Sequence, residues 1–241
     1  MDQVGDSPTV DDGIVKLPDS FSLRIRMRGQ GFTDLIKNYP RLFDASLPDD
    51  IEQPDALPSG VKPGDYVPVA APQENSPAVC VIDSGIQENH RLLQPAIDAA
   101  SSRSFLPGAD VADRVAPHGH GTPVAGAILY RNFLSNNEGN EACCWIQNAR
   151  LLDDLKNIPH TVYPPLALRE IISHFRNGGR KTRIFNHSIA SNAPCRLTRM
   201  STWGAAIDLL SHELDVLVVQ AAGNIAGRTN STHHPGVIES F

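Results

Sequence analysis

The sequence has no apolar run approaching the roughly 20 residues that a membrane-spanning helix needs; its longest apolar stretches are a few residues. Its opening stretch, MDQVGDSPTVDDG, is acidic and lacks the apolar segment of a signal peptide. An excess of positive charge is also missing. Lys and Arg number 21 against 27 Asp and Glu, for a net charge of −6. That balance gives no support to a nucleic-acid partner or an anionic membrane surface. Cysteine is scarce. Cys80, Cys143, Cys144 and Cys195 include one adjacent pair and no C-x-x-C spacing, so neither a disulfide framework nor a zinc site is indicated. Cys80, inside AVCVID, reads as a small buried hydrophobe. Together these absences fit a reducing, cytoplasmic setting.

What is present suits a packed core. Hydrophobic residues make up 41% of the 241, enough for one large domain or two small ones and too many for global disorder. Residues 1–20 read as a loose acidic lead-in. Residues 21–52 read as a strand (22–27), a short helix near 33–38 and a second extended piece around 42–46. In SLRIRMRG, Arg24, Arg26 and Arg28 alternate with Leu23, Ile25 and Met27, the pattern of an amphipathic strand with a solvated basic face. Residues 54–77 hold six prolines in 24 residues and read as an extended linker. The expected organisation is an N-terminal segment (1–53), a linker (54–77) and a main domain (78–241).

Within the main domain strands and helices alternate. AVCVID (78–83), ARLLD (149–153), TRIFNHS (182–188) and VLVVQAAGN (216–224) read as strands, the first and last of them buried. GTPVAGAILYR (121–131) and PPLALREIISHFRNGG (164–179) read as helices with proline in the first turn. In MSTWGAAIDLLSHELD (200–215), Trp203, Ala206, Ile207, Leu210 and Leu214 share one helical face. The pattern predicts an α/β fold with a mostly parallel sheet and helices on both sides. Ligands of such sheets bind outside the carboxyl ends of the strands. That rule singles out Asp83, Asn186, Ser188 and Asn224, with His120 at the same rim because it opens a helix. The helix dipole disfavours a charged His120 and leaves a neutral base. Asp83 can accept the second ring N–H and fix the tautomer. Asn224, on a tight turn after AAG, offers an amide donor to a developing oxyanion.

Taken in order, VCVIDSG, HGTPVAG, NHSIAS and AAGN resemble the motifs of the subtilisin-like serine proteases, the subtilases of peptidase family S8, and the likeness covers roughly residues 79–238. The resemblance implies a three-layer sandwich whose mostly parallel sheet is flanked by helices, lacking its C-terminal part and preceded by a small α+β segment. It implies a serine endopeptidase acting on protein or peptide substrates. Asp83 and His120 match the family's aspartate and histidine motifs, and Asn224 its oxyanion asparagine, roles that the resemblance implies. Ser188, Ile189 and Ala190 match the strand that runs beside bound peptide. The family's nucleophile stands in Gly-Thr-Ser-x-Ala, and neither Ser231 nor Ser240, the only serines after Asn224, has that setting. The expectation is that the serine lies downstream of Phe241 and that this chain alone is inactive. The alternative is a non-catalytic peptide-binding module built on the same crevice. Residues 21–52 have the place and rough size of the strand–helix–strand pro-domain that subtilases often carry. Calcium sites are common in the family, but no ligands match here. The acidic lead-in, linker and cysteine-bearing core are similar to intracellular bacterial subtilases that work beside an ATPase partner.

Two rival readings weigh less. Hydrophobic-hydrophobic-Asp-Ser-Gly is also an aspartic-protease signature, but that chemistry needs a second carboxylate, and no second DSG or DTG occurs. His118 and His120, even with His233 and His234, match no zinc spacing. His118 reads as a loop residue.

Overall fold

The strand AVCVID forms as expected, and in the computed structural model, which describes residues 9–45, 69–130, 141–191 and 200–223, it is the centre of the fold. Its chain-order label is β3 (Ala78–Asp83), after a hairpin of β1 (Thr9–Lys16) and β2 (Phe21–Arg26) and a helix α1 (Gly29–Asn38). Then follow β4 (Arg103–Ser104), α2 (Gly121–Leu129), β5 (Trp145–Arg150), α3 (Pro164–Asn177), β6 (Ile184–His187), α4 (Thr202–Leu214) and β7 (Leu217–Gln220). The main sheet runs β4-β5-β3-β6-β7 with every neighbouring pair parallel. Alternation along β3 feeds two cores. Cys80 and Ile82 pack with Leu168, Ile171, Ile172 and Phe175 of α3 and Leu210 of α4. Val81 packs on the other face with Ala125 and Leu129 of α2 and Ile146 of β5. Helices therefore cover both faces, the three-layer arrangement.

Helices α3 and α4 fall where their periodicity puts them. Ala206 and Leu210 are buried, and Trp203, Ile207 and Leu214 pack against the same core. Ser201 caps α4, its Oγ accepting from Gly204 N at 3.0 Å. Strand β5 differs from expectation: it spans 145–150 rather than 149–153. It pairs in register with β3 from Ala78↔Trp145 to Asp83↔Arg150, so it stops where β3 stops. Leu151 and Leu152 supply core side chains from the following turn, where both their N–H groups donate to the carbonyl of Asp83. The expected burial of the last strand also fails. Among the described residues β7 lies at the sheet edge, with Leu217 58% and Val219 49% exposed.

The N-terminal segment is a hairpin and helix rather than strand–helix–strand. Part of the presumed loose lead-in forms β1, antiparallel to β2. The turn LPDS closes it, with Leu17 N donating to Ser20 O and Pro18 at a position that favours its fixed φ. Helix α1 starts at Gly29, ahead of the predicted 33, and no strand forms in the described part of 42–46. The hairpin rests on the start of α3. Arg24 donates to the carbonyls of His160 and Val162 and stacks over the Tyr163 ring, while Ser22 Oγ lies 2.7 Å from Tyr163 Oη. Arg24 is thus an anchor, not part of a solvated face. Of the presumed linker, 54–68 lie outside the described residues. Residues 69–77 are packed: Val69 sits in the α2 core, Ala70 bridges Glu141, and Gln73 N donates to Glu141 Oε1. Cys80 is fully buried, and burial pushes its thiol well up, as an inert structural cysteine requires. Among the described residues no helix is long and apolar enough to cross a membrane.

Candidate functional site

Strand order places the site. From β3 the chain leaves for β4 and β5 on one side; from β6, the strand beside it, it leaves for β7 on the other. Neighbouring strands whose connections part in this way open a crevice at their carboxyl ends. Asp83 closes β3 at that point, His187 closes β6, and Ser188 to Ala190 follow it. Helix α2 enters the same rim with His120 at its N-cap position. Its first residue, Gly121, allows the approach: a Cβ there would run into the carbonyl of Gly85 and meet Asp83 Cβ at 3.0 Å. Gly85 itself has φ +102°, a left-handed conformation that glycine accepts without strain.

This close contact sets His120 Nδ1 2.6 Å from Asp83 Oδ1. Ser84 N donates to the same oxygen at 2.6 Å. The Asp83 side chain is 1% exposed and the His120 side chain 21%. A carboxylate only accepts, so Nδ1 carries the proton and Nε2 keeps a lone pair. Burial pushes the Asp83 carboxyl up from its usual range, against the hydrogen bonds from His120 and Ser84. The bond to Asp83 holds the His120 imidazole above its ordinary value, against burial and the charge of Lys156. The bond to Asp83 thus acts against the helix dipole, which disfavours a charged ring.

The other expected residues fare differently. Ser188 Oγ donates to Asn186 Oδ1 at 2.6 Å at the end of β6. Ile189 is buried in the α3 core, and its carbonyl accepts from Gln220 Nε2 at 2.6 Å; Ala190 follows, half-buried. Asn224 lies outside the described residues, as do His233, His234 and Cys195. His118 is exposed on the turn before α2. Among the described residues no group of three or more His, Cys, Asp or Glu could hold a metal ion. Asp113, which no motif in the sequence marks, is buried and accepts from the backbone of His120 at 2.8 Å. It sits seven positions upstream in an irregular loop, where no periodicity marks it.

His187 carries no such mark either. This ring is fully enclosed, with Nδ1 2.6 Å from Gln220 Oε1 and an edge-on contact to Trp203 at 5.3 Å. Burial lowers its pKa from 6.5 to about 4. Between those values the unfolded chain binds a proton that the folded chain refuses. Stability contributed by the neutral ring is therefore present above pH 6.5 and lost as pH falls toward about 4, by about 3 kcal/mol. Thermal unfolding at pH 7 and pH 5 should show a steeper loss for the unmodified chain than for His187→Met. Equal pH dependence in the two would contradict the account.

The family model described as the Subtilase family, Peptidase S8, matches residues 74–240. Two solved structures share the fold. One is the epidermin leader peptide processing serine protease EpiP from Staphylococcus aureus, at TM-score 0.53 and 18% identity, covering 90% of this chain and 55% of that one. The other is a serine-to-alanine mutant of the same enzyme, at TM-score 0.54 and 18% identity, covering 90% of this chain and 56% of that one. The chain spans little more than half the length of either structure. No curated protein sequence matches significantly.

Proposed function

The chain belongs to the subtilase family, and from that premise we propose that it carries the aspartate and histidine of a serine endopeptidase. The observation that carries the reading is the 2.6 Å contact between His120 Nδ1 and Asp83 Oδ1 at the carboxyl rim of the sheet. Asp83 holds the ring in the tautomer that leaves Nε2 as the base. Nε2 takes the proton of a serine hydroxyl as it attacks the scissile carbonyl, and Asp83 stabilises the imidazolium that results. The same ring then returns the proton to the leaving amine. Asn224 is assigned the oxyanion, and the backbone of Ser188 to Ala190 the substrate, which lies along it as an added strand. The nucleophile is assigned to a serine that this sequence does not show in a Gly-Thr-Ser-x-Ala setting. Residues 9–45 are assigned a pro-domain-like role, seated on the chain ahead of α3 by Arg24 and Ser22.

The test is fluorophosphonate labelling of the native protein isolated from its own cells. Labelling abolished by His120→Ala supports the endopeptidase. A protein that stays unlabelled while still binding an extended peptide is the non-catalytic module instead.

A further inference from the structure

We propose that Asp113 is a positioning residue that clamps His120 onto Asp83, an inference resting on the reading of those two as the acid–base pair. Its two carboxylate oxygens divide their work. Oδ2 accepts from His120 N at 2.8 Å, Thr122 N at 3.0 Å and Thr122 Oγ1 at 2.8 Å. These are donors of the first turn of α2, whose N-cap residue supplies no side-chain cap. Asp113 thus caps that helix from outside the helical segment. Oδ1 accepts from Ser84 Oγ at 2.9 Å and Val115 N at 3.4 Å. Ser84 is the residue after Asp83, and its Oγ also accepts from Gly121 N at 3.2 Å. One buried side chain therefore ties the end of β3 to the start of α2, the two places from which Asp83 and His120 project. Gly119, at φ +79°, lets the chain pass over the carboxylate, which a Cβ there would strike.

The clamp is itself held. Arg150, buried beside Asp83 in the β3–β5 register, donates to the carbonyls of Asp110 and Ala112 at 3.2 and 2.9 Å. Asn148 Nδ2 and Ile86 N both donate to the carbonyl of Val111. The loop that presents Asp113 is thus fastened to strand ends rather than left to its own conformation. A bond of 2.6 Å between Nδ1 and Oδ1 tolerates little drift, so fixing the backbone of His120 matters to it.

The experiment reads the geometry of the pair directly, by proton NMR of the 241-residue chain at the low-field imidazole N–H resonance of His120. Asp113→Asn replaces one acceptor oxygen by a donor. It is expected to abolish that resonance and to move the His120 titration midpoint down, while circular dichroism retains the helical signal. The charges about His120 are Asp83, Lys156 and Asp113, so the loss of the resonance, not the midpoint alone, carries the inference. Ser84→Ala leaves Asp113 its bonds to His120 and Thr122 but removes its strut to the β3 end, together with the Ser84 acceptor of Gly121 N, and is expected to broaden the same resonance. This second variant decides the matter if Asp113→Asn does not fold. An unchanged resonance in folded Asp113→Asn, or in Ser84→Ala, overturns the proposal. If the chain behaves as expected here while the native protein from its own cells never labels with fluorophosphonate, this inference stands and the catalytic one is lost.

Discussion

Replacing His120 with alanine is expected to lower kcat of the serine-bearing protein by about 10⁶-fold while changing KM little, the magnitude known for loss of the corresponding histidine in subtilisin. His120 contributes in two directions. Its Nε2 is the base for the hydroxyl and the acid for the leaving amine, and its Nδ1 proton is already committed to Asp83 at 2.6 Å. Alanine removes both transfers and leaves Asp83, 1% exposed, as a buried carboxyl without its imidazole partner. Residues acting as a unit do not add, so His120→Ala combined with Asp83→Asn should cost no more than His120→Ala alone. Steady-state hydrolysis of a peptide substrate, with pre-steady-state labelling as a second readout, measures this. A loss below about 10-fold would remove His120 from the chemistry.

Asp83→Asn is expected to cost about 10⁴-fold in kcat, as the same exchange does in serine proteases of another fold. The side chain keeps its shape, and its oxygen can still accept from one of the two present donors, His120 Nδ1 or Ser84 N. The other position is then faced by an amide NH₂. If that group meets His120, it stabilises the tautomer with the proton on Nε2, which cannot act as a base. The exchange also removes the largest influence holding His120 above its ordinary value. The acid limb of the activity profile, which rises as His120 loses its proton, should move to lower pH even as the plateau drops. A plateau that drops with no movement of that limb would argue that Asp83 does not touch the imidazole in the working protein.

Much of this arrangement was legible because it is written in local chemistry. A continuous apolar run ending in Asp-Ser-Gly gives β3 and its rim position, and His-Gly-Thr before an apolar run gives α2 and its first turn. Those signals need only neighbours in sequence. Asp113 was not legible, because its role consists of donors on Ser84, His120 and Thr122 that only folding assembles. The end of β5 was misplaced for a related reason. Leu151 and Leu152 look like strand residues by composition, but strand length is set by the partner, and β3 ends at Asp83. Arg24 looked solvated because alternation distinguishes faces and says nothing of what a face meets, here the carbonyls of His160 and Val162. β1 was hidden behind the acidic residues of TVDD, which carry low strand propensity and fall where the register shifts between Val10 and Ile14, while Thr9, Val10 and Ile14 to Lys16 pair with β2.

Strand β7 has one further consequence. It hydrogen-bonds β6 on one side, and among the described residues no strand lies along its other side. Leu217 and Val219 stand out beside those unmatched peptide groups. Such a flank is adhesive: two copies brought together at high concentration could dock there backbone to backbone and begin a growing stack. A blunting charge at Val219 is therefore expected to reduce association of this chain at high concentration.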